Sequence, residues 1–480
     1  MRRRTKIVAT LGPASERPKI LRKMINSGLD VARLNFSHGS ADDHRQRARR
    51  LRKAAEACGR DVGLLGDLQG PKIRVMRFKK GSVHLRSGQE FFLDSTLGLE
   101  DGTRKGVGVA LETLHEDVKT GDTLLLNDGL ISLQVDRVEG TRIFTTVIDD
   151  GILSDHKGIN LKGGGLSAPA LTDVDRENIK LAAELDVDFL AVSFVRSGED
   201  IEEARRLFEE AGGRGLICAK IERTEAVENI DSIIAASDVI MVARGDLGVE
   251  VGYAGLTGIQ KTLIRKTRKA HKIVITATQM MESMIENPIP TRAEVSDVAN
   301  AVIDGTDAVM LSGETAVGNH PNKAIKAMAD VCVGAEKYNV PYTPAASRGA
   351  DEFGRVDQAI AMATMYTANH LSVKAIVALT ESGSTARWMS RVRSDILIYA
   401  LTPHHKTSRR VALYRGVYPV HFELDERHAT NVQLLYEDIF EQLLAAKRIE
   451  PSDLVIFTKG DLDGVSGATN AMKILRAPSQ

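Results

Sequence analysis

Residues 216–222 read LICAKIE, and the fold turns on them. Along a strand successive side chains point to opposite faces, so Cys218, Lys220 and Glu222 share one face and Ile217, Ala219 and Ile221 the other. A run this apolar on both faces belongs to a buried parallel strand, because half-exposed strands alternate apolar with polar. Similar runs precede it at KIVATLG (6–12), VARLNFSHG (31–39), VGLLGDLQG (62–70) and VDFLAVSF (187–194). Others follow at DVIMVARGD (238–246), KIVITATQ (272–279) and DAVMLSGE (307–314). Helical stretches are expected near 18–27, 41–58, 173–185, 199–212, 255–270, 291–304 and 321–335. Eight strands alternating with helices predict a (β/α)8 TIM barrel over residues 1–69 and 167–340, with its polar groups at the strand ends.

Between residues 70 and 166 the period changes. Ile131, Leu133 and Val135 alternate with Ser132, Gln134 and Asp136, and turn signals recur at Asn127-Asp128-Gly129 and Glu139-Gly140. Such short strands predict a small β-barrel domain inserted at 70–166, a plain linker being the other reading. Gly163-Gly164-Gly165 on its return path permits a hinge. Pro341, Pro344 and Gly349 mark a further boundary. Helix 356–370 then leads into KAIVALT (374–380), ILIYALT (396–402) and LVIFTKG (454–460), a separate C-terminal α/β domain over 355–480.

Lys plus Arg and Asp plus Glu each number 64 in 480 residues, so the formal charge is zero. Neither a nucleic-acid backbone nor an anionic membrane is therefore an expected partner. A chain this long, 43% hydrophobic and 27% charged, is globular and exceeds one hydrophobic core. Cys58, Cys218 and Cys332 share no close spacing, which argues against disulfides and a cysteine metal site. The apolar run Ile7–Leu11 behind Arg2-Arg3-Arg4 is too short for a signal peptide, and no stretch has the roughly 18 apolar residues of a membrane span. A cytoplasmic protein is expected.

A lysine and a glutamate facing a barrel interior are costly unless paired or put to use. A bare Lys220–Glu222 pair capping the barrel is one reading. Asp246, taken as ending the sixth strand in ARGDLG, favours another. Two carboxylates from neighbouring strands, with few other protein ligands, suit Mg²⁺, which keeps waters and takes oxygens from substrate. Lys220 beside it would neutralise charge on a transferring phosphoryl group. Further donors stand at other strand ends: Arg33, Asn35, Ser37, His38, Asp67, Lys72, Arg74, Thr278, Ser312 and Glu314. His38 taken alone reads as a solvated loop residue.

ARLNFSHG, DLQGPKIR, AKIER, ARGDLG, TATQMMESM, PTRAEVSDVANAVIDGTDAVMLSGET and LYRGVYPV, in this order, resemble pyruvate kinase over essentially the whole chain. The resemblance implies transfer of a phosphoryl group from phosphoenolpyruvate to ADP, giving pyruvate and ATP in the last step of glycolysis. It assigns Lys220 to phosphoryl transfer, and Glu222 and Asp246 to Mg²⁺, with Mn²⁺ as an alternative. Gly245, Asp246 and Thr278 would hold the substrate carboxylate, and Arg33 its phosphoryl group. Asn35, His38, Arg74 and Lys157 would face the nucleotide. Thr278 and Ser312 would stand near the proton relay to the enolate, a water being the other donor. A homotetramer is implied as well.

The same resemblance marks departures. Asn35, Ser37, Asp67 and Leu68 occupy K⁺-site positions, but Lys72 stands where K⁺-dependent relatives carry glutamate. With Leu68, Gln69 and Val75 it implies that K⁺ is not required. Ser197 replaces a nucleotide-site lysine, and Asp43 a tyrosine. KGDLDGVSGATN (459–470) lacks the Trp-Arg-Pro-Gly loop of relatives responsive to fructose 1,6-bisphosphate. In TESGSTAR (380–387), Thr380, Ser382, Gly383, Ser384 and Thr385 read either as N-capping or as the cradle of a phosphorylated small-molecule effector. The competing readings of the whole chain are another Mg²⁺-dependent enolate enzyme on a related barrel and a catalytically inactive effector-binding homologue.

Overall fold

The computed structural model describes residues 2–338, 353–460 and 467–479. The expected boundary at Pro341, Pro344 and Gly349 lies outside the described residues, as do positions 461–466 of the 459–470 stretch.

Eight parallel strands close into a barrel: β1 (Lys6–Thr10), β2 (Val31–Asn35), β3 (Gly63–Asp67), β4 (Phe189–Val192), β5 (Leu216–Ile221), β6 (Val239–Ala243), β7 (Ile273–Ala277) and β8 (Ala308–Leu311). Closure comes from β1, which pairs with both β8 and β2. The alternation sorts the core into two layers. Val8, Val31, Leu65, Cys218, Met241 and Ile275 belong to one buried cluster, and Ile7, Ala32, Leu64, Ile217, Ile240 and Val274 to another with the helices. Side-chain caps fix where several helices start. Ser40, Thr172 and Thr291 each accept from the backbone N–H three residues on, and Asp43, Asp175 and Glu294 answer reciprocally. Asp43 is thus half of a capping box.

The inserted segment has its own core, built around Val75, Leu93, Leu124, Leu133 and Val147. Its strands form a six-stranded sheet and a two-stranded ribbon, 151–154 with 82–85, which is the form the expected small β-barrel takes. Asn127, Asp128 and Gly129 all have positive φ, the conformation that the Asn-Asp-Gly turn signal anticipates. The return path, Gly163-Gly164-Gly165, also lies at positive φ and is tied to the barrel. Gly163 N donates to Glu250 O at 3.2 Å and Gly165 N to Glu225 Oε1 at 2.6 Å.

The C-terminal sheet orders its strands 417–421, 397–402, 375–379, 454–460 and 469–476, the last antiparallel. Its residues Ile398, Leu413 and Tyr414 join the barrel-interior cluster, so this domain closes the barrel floor. Among the described residues no helix is long and apolar enough to cross a membrane.

Candidate active site

At the carboxyl ends of the strands, β5 turns its last polar side chains inward. Lys220 Nζ lies 2.9 Å from Glu222 Oε1, 3.2 Å from Asp67 Oδ1 and 2.6 Å from Ser193 Oγ. Asp67 ends β3 and is fully buried. Its other oxygen accepts from Arg33 Nε at 2.5 Å, and Arg33 also donates to Thr10 Oγ1. Two cations therefore flank one buried carboxylate. Burial would raise the Asp67 pKa, but Arg33 and Lys220 hold it below the usual carboxylate range. Burial would likewise lower the Lys220 ammonium, and Asp67 with Glu222 outweighs that, holding it above its ordinary value. Glu222 goes the other way: burial raises it, Asp246 adds to the rise, and Lys220 opposes it.

Asp246 departs from the sequence expectation. Strand β6 stops at Ala243, and Asp246 stands in the first turn of the helix Arg244–Val251. The cause is a turn locked by Arg244, whose guanidinium donates to Thr278 O at 2.8 Å, Gln279 O at 3.1 Å and Asp297 Oδ1 at 2.8 Å. Thr278 and Gln279 both sit at positive φ, a strained conformation for a β-branched threonine. An N–H of the helix's first turn, Gly245 N, donates to Thr278 Oγ1 at 2.8 Å. The Gly245–Thr278 pair expected to hold a carboxylate is thus together at a helix N-terminus, where anions are favoured. Ser312 follows β8; its hydroxyl is buried without a hydrogen-bond partner, and its N–H donates to Glu314 Oε2 at 2.7 Å.

Lys72, expected beside the K⁺ positions, rests its ammonium on Asp246 Oδ1 at 3.0 Å, with Asp128 of the inserted segment at 3.8 Å. Asn35 Oδ1 accepts from Ser37 N, His38 is exposed, and Arg74 donates to His156 O at 2.8 Å beside the half-buried Lys157. Leu68 is buried, and its carbonyl accepts from Ser193 Oγ. Among the described residues no group of three or more His, Cys, Asp or Glu could hold a metal. A site of two carboxylates remains, Glu222 and Asp246. Such a sparse donor set fits an ion that keeps waters and shares its shell with substrate oxygens.

Sequence reasoning missed Ser193, which holds Lys220, and the neighbouring Phe194, whose N–H donates to Glu222 Oε2 at 2.8 Å. Their position at the end of VDFLAVSF was the available signal. It also missed the Arg244 clamp and the role of Glu314, which bridges Ser312 N and Met281 N.

In the C-terminal domain, Gly383 caps the helix Ser384–Ser390 and donates its N–H to Thr380 Oγ1 at 2.9 Å. Ser384 Oγ is taken by Asp357 and Thr385 Oγ1 meets Thr469 Oγ1 at 2.6 Å. A cavity of about 50 Å³ adjoins them, lined by Thr380, Thr385 and Lys459.

Fold and site together define a phosphotransferase built on a (β/α)8 barrel. The pyruvate kinase barrel domain matches residues 2–325 and the pyruvate kinase alpha/beta domain residues 358–475. Pyruvate kinase II of Salmonella typhimurium is 53% identical over 98% of this chain and 98% of its own length. The pyruvate kinases of Buchnera aphidicola (subsp. Schizaphis graminum) and Haemophilus influenzae are 52% and 50% identical, over 99% and 95% of this chain and 98% and 96% of their own lengths. The chain belongs to the pyruvate kinase family. Neither an enolate enzyme of another kind nor an inactive homologue is favoured by these relatives.

Proposed function

We propose that this chain transfers the phosphoryl group of phosphoenolpyruvate to ADP. The observation that carries the reading is the buried Lys220 ammonium held between Asp67, Glu222 and Ser193 at the barrel mouth. A donor fixed before the reaction stabilises developing charge without reorganising. Arg33, braced by Asp67 and Thr10, presents the second cation to the phosphoryl group. The substrate carboxylate docks on the Gly245 N–H and Thr278, exchanging one acceptor for another at the helix N-terminus. Asn35, His38, Arg74 and Lys157 face the nucleotide, and the inserted domain closes over it and excludes water. The unpartnered Ser312 hydroxyl stands with Thr278 on adjacent strand ends, as a proton relay to the enolate requires.

Glu222 and Asp246 would hold Mg²⁺, or Mn²⁺ in its place, and the ion when bound would neutralise charge on the phosphate oxygens. Lys72 supplies a fixed cation, and K⁺ is not required. The cradle at Thr380, Ser382, Gly383, Ser384 and Thr385 takes a phosphorylated small molecule, in preference to fructose 1,6-bisphosphate. The chain works as a cytoplasmic homotetramer. ATP formation from phosphoenolpyruvate and ADP, with and without sugar phosphates and nucleoside monophosphates, tests the reading. Absence of turnover with Mg²⁺ present would overturn it.

A further inference from the structure

The helix Arg244–Val251 meets the inserted domain at both of its ends. In its first turn Asp246 Oδ1 takes the Lys72 ammonium at 3.0 Å. Further along, a Cβ built on Gly129, in the Asn127-Asp128-Gly129 turn, would lie 3.7 Å from Val249 Cγ1. In its last turn the Glu250 carbonyl accepts from Gly163 N at 3.2 Å. The Glu250 side chain also reaches the domain, its Oε1 standing 3.4 Å from Asn160 Nδ2. Asn160 lies on the strand Ile159–Leu161, just before the glycine run of the return path.

Asp246 and Glu250 are four residues apart and so share one face of this helix, where like charges repel. A helix of eight residues is marginal without tertiary support. Support comes from outside it. Glu250 is buried, and its second oxygen, Oε2, accepts from Thr224 N at 2.9 Å. Thr224 opens the helix Thr224–Glu228, two residues past Glu222. One side chain therefore bridges the helix that bears Asp246 and the segment that bears Glu222. Glu222 is clamped from its other side as well, by Lys220 Nζ at 2.9 Å and Phe194 N at 2.8 Å. The position of the helix then decides where Asp246 stands relative to it.

We infer that Glu250 is a positioning residue, fixing the spacing of the Glu222 and Asp246 carboxylates and tying that spacing to the seating of the inserted domain. The inference rests on the reading of those two carboxylates as the divalent-metal pair. An ion with few protein ligands and strict octahedral demands is sensitive to how the two are set. Movement of the inserted domain pulls on the helix at Gly163 and Asn160 through Glu250, and at Lys72 through Asp246. The Thr224 bond carries that pull to the segment after Glu222. As a plain cap of the helix Thr224–Glu228, Glu250 would affect stability alone.

Titration of the full chain with Mn²⁺ alone, followed by electron paramagnetic resonance, tests this. Glu250→Ala should bind Mn²⁺ at least about tenfold more weakly than wild type, as groups that orient metal ligands do when lost. Glu250→Gln keeps an oxygen for Thr224 N and should bind nearly as wild type does. In hydrogen exchange read by mass spectrometry, the peptides spanning Thr224 and Gly163 should lose protection in Glu250→Ala and keep it in Glu250→Gln. If Glu250→Ala does not fold, Glu250→Asp, one methylene too short to reach, is read in its place. Equal Mn²⁺ affinity in wild type and Glu250→Ala, even with a lower melting temperature, would overturn the inference and leave the metal pair standing. An equal loss in Glu250→Gln and Glu250→Ala would overturn it too, since charge rather than the Thr224 bond would then be at work. A wild type that binds no Mn²⁺ would overturn the metal reading, and this inference with it.

Discussion

Lys220 Nζ stands 2.9 Å from Glu222 Oε1, a cation and a carboxylate two residues apart on the inward face of β5. Because the same ammonium also lies 3.2 Å from Asp67, its removal leaves two buried carboxylates with less compensation. At an effective dielectric of about 20, a charge at 4 Å is worth roughly 4 kcal/mol, on the order of a thousandfold in rate if it acts in the transition state. Lys220→Met should lose turnover by about that factor and melt at a lower temperature, by steady-state assay and calorimetry. Near wild-type kcat in the folded variant would remove Lys220 from the mechanism.

Arg244 never needs to touch substrate to matter. Its fork holds the carbonyls of Thr278 and Gln279 at positive φ and so aims the Thr278 hydroxyl at Gly245 N. Lysine keeps the charge but cannot fork. Arg244→Lys should raise KM for phosphoenolpyruvate by about tenfold, the loss of roughly one charge-assisted bond. KM for ADP should move much less. Equal change in both constants would point to general destabilisation.

The eight strands were legible because a parallel barrel strand, buried on both faces, writes itself as a continuous apolar run. Lys220 and Glu222 were legible for the converse reason, as charges interrupting such a run. Asp246 was misplaced because the turn at Ala243 depends on Arg244 reaching across to residues 278–279 and 297, a contact between distant segments. Ser193 was passed over for a similar reason, although it stands at a strand end. A serine after a strand is commonplace until Lys220 is seen 2.6 Å away.

The glycine run at 163–165 offers two unlike tests. A Cβ at Gly163 meets nothing within 4 Å, whereas one at Gly164 falls 3.0 Å from Thr224 Cβ and Glu225 Oε2. Both sites have positive φ, costing an L-residue about 1–2 kcal/mol. Gly164→Ala should therefore cut turnover well beyond Gly163→Ala by unseating the inserted domain from Glu225, with the barrel's melting little changed. Equal turnover in the two variants would make the run a passive connector.

Lys6 is buried in the fold, donating to Val417 O at 2.5 Å with its ammonium over the Tyr418 ring. Burial lowers its pKa from 10.5 to about 8, against the pull of Asp30. Between those values the unfolded chain holds the extra proton, so stability contributed at this residue rises with pH across that window. Below it the charged amine is present in both states and costs the fold about 3 kcal/mol. Lys6→Met should be the more stable protein at pH 7, and the difference from wild type should shrink from pH 8 to 10.5 in urea melts. A constant difference across that range would mean Lys6 is not titrating there.

Lys72 bears on the requirement for a monovalent cation. Its ammonium lies 3.0 Å from Asp246 and 3.8 Å from Asp128, so a fixed positive charge already answers the carboxylates between barrel and inserted domain. Asp67, expected among the K⁺-site positions, is itself saturated by Arg33 and Lys220. A free cation there would compete with two resident ones at a fully buried group, an unfavourable exchange once desolvation is counted. Glutamate at 72 would reverse the field, setting a second carboxylate beside Asp246 and leaving a charge that only a bound cation could offset. The wild type should therefore be active in tetramethylammonium buffer without K⁺, and Lys72→Glu should be nearly inactive there and recover as KCl is titrated in. Should the wild type instead be silent without K⁺ and revive on its addition, Lys72 does not replace the cation, and its contact with Asp246 must serve another end.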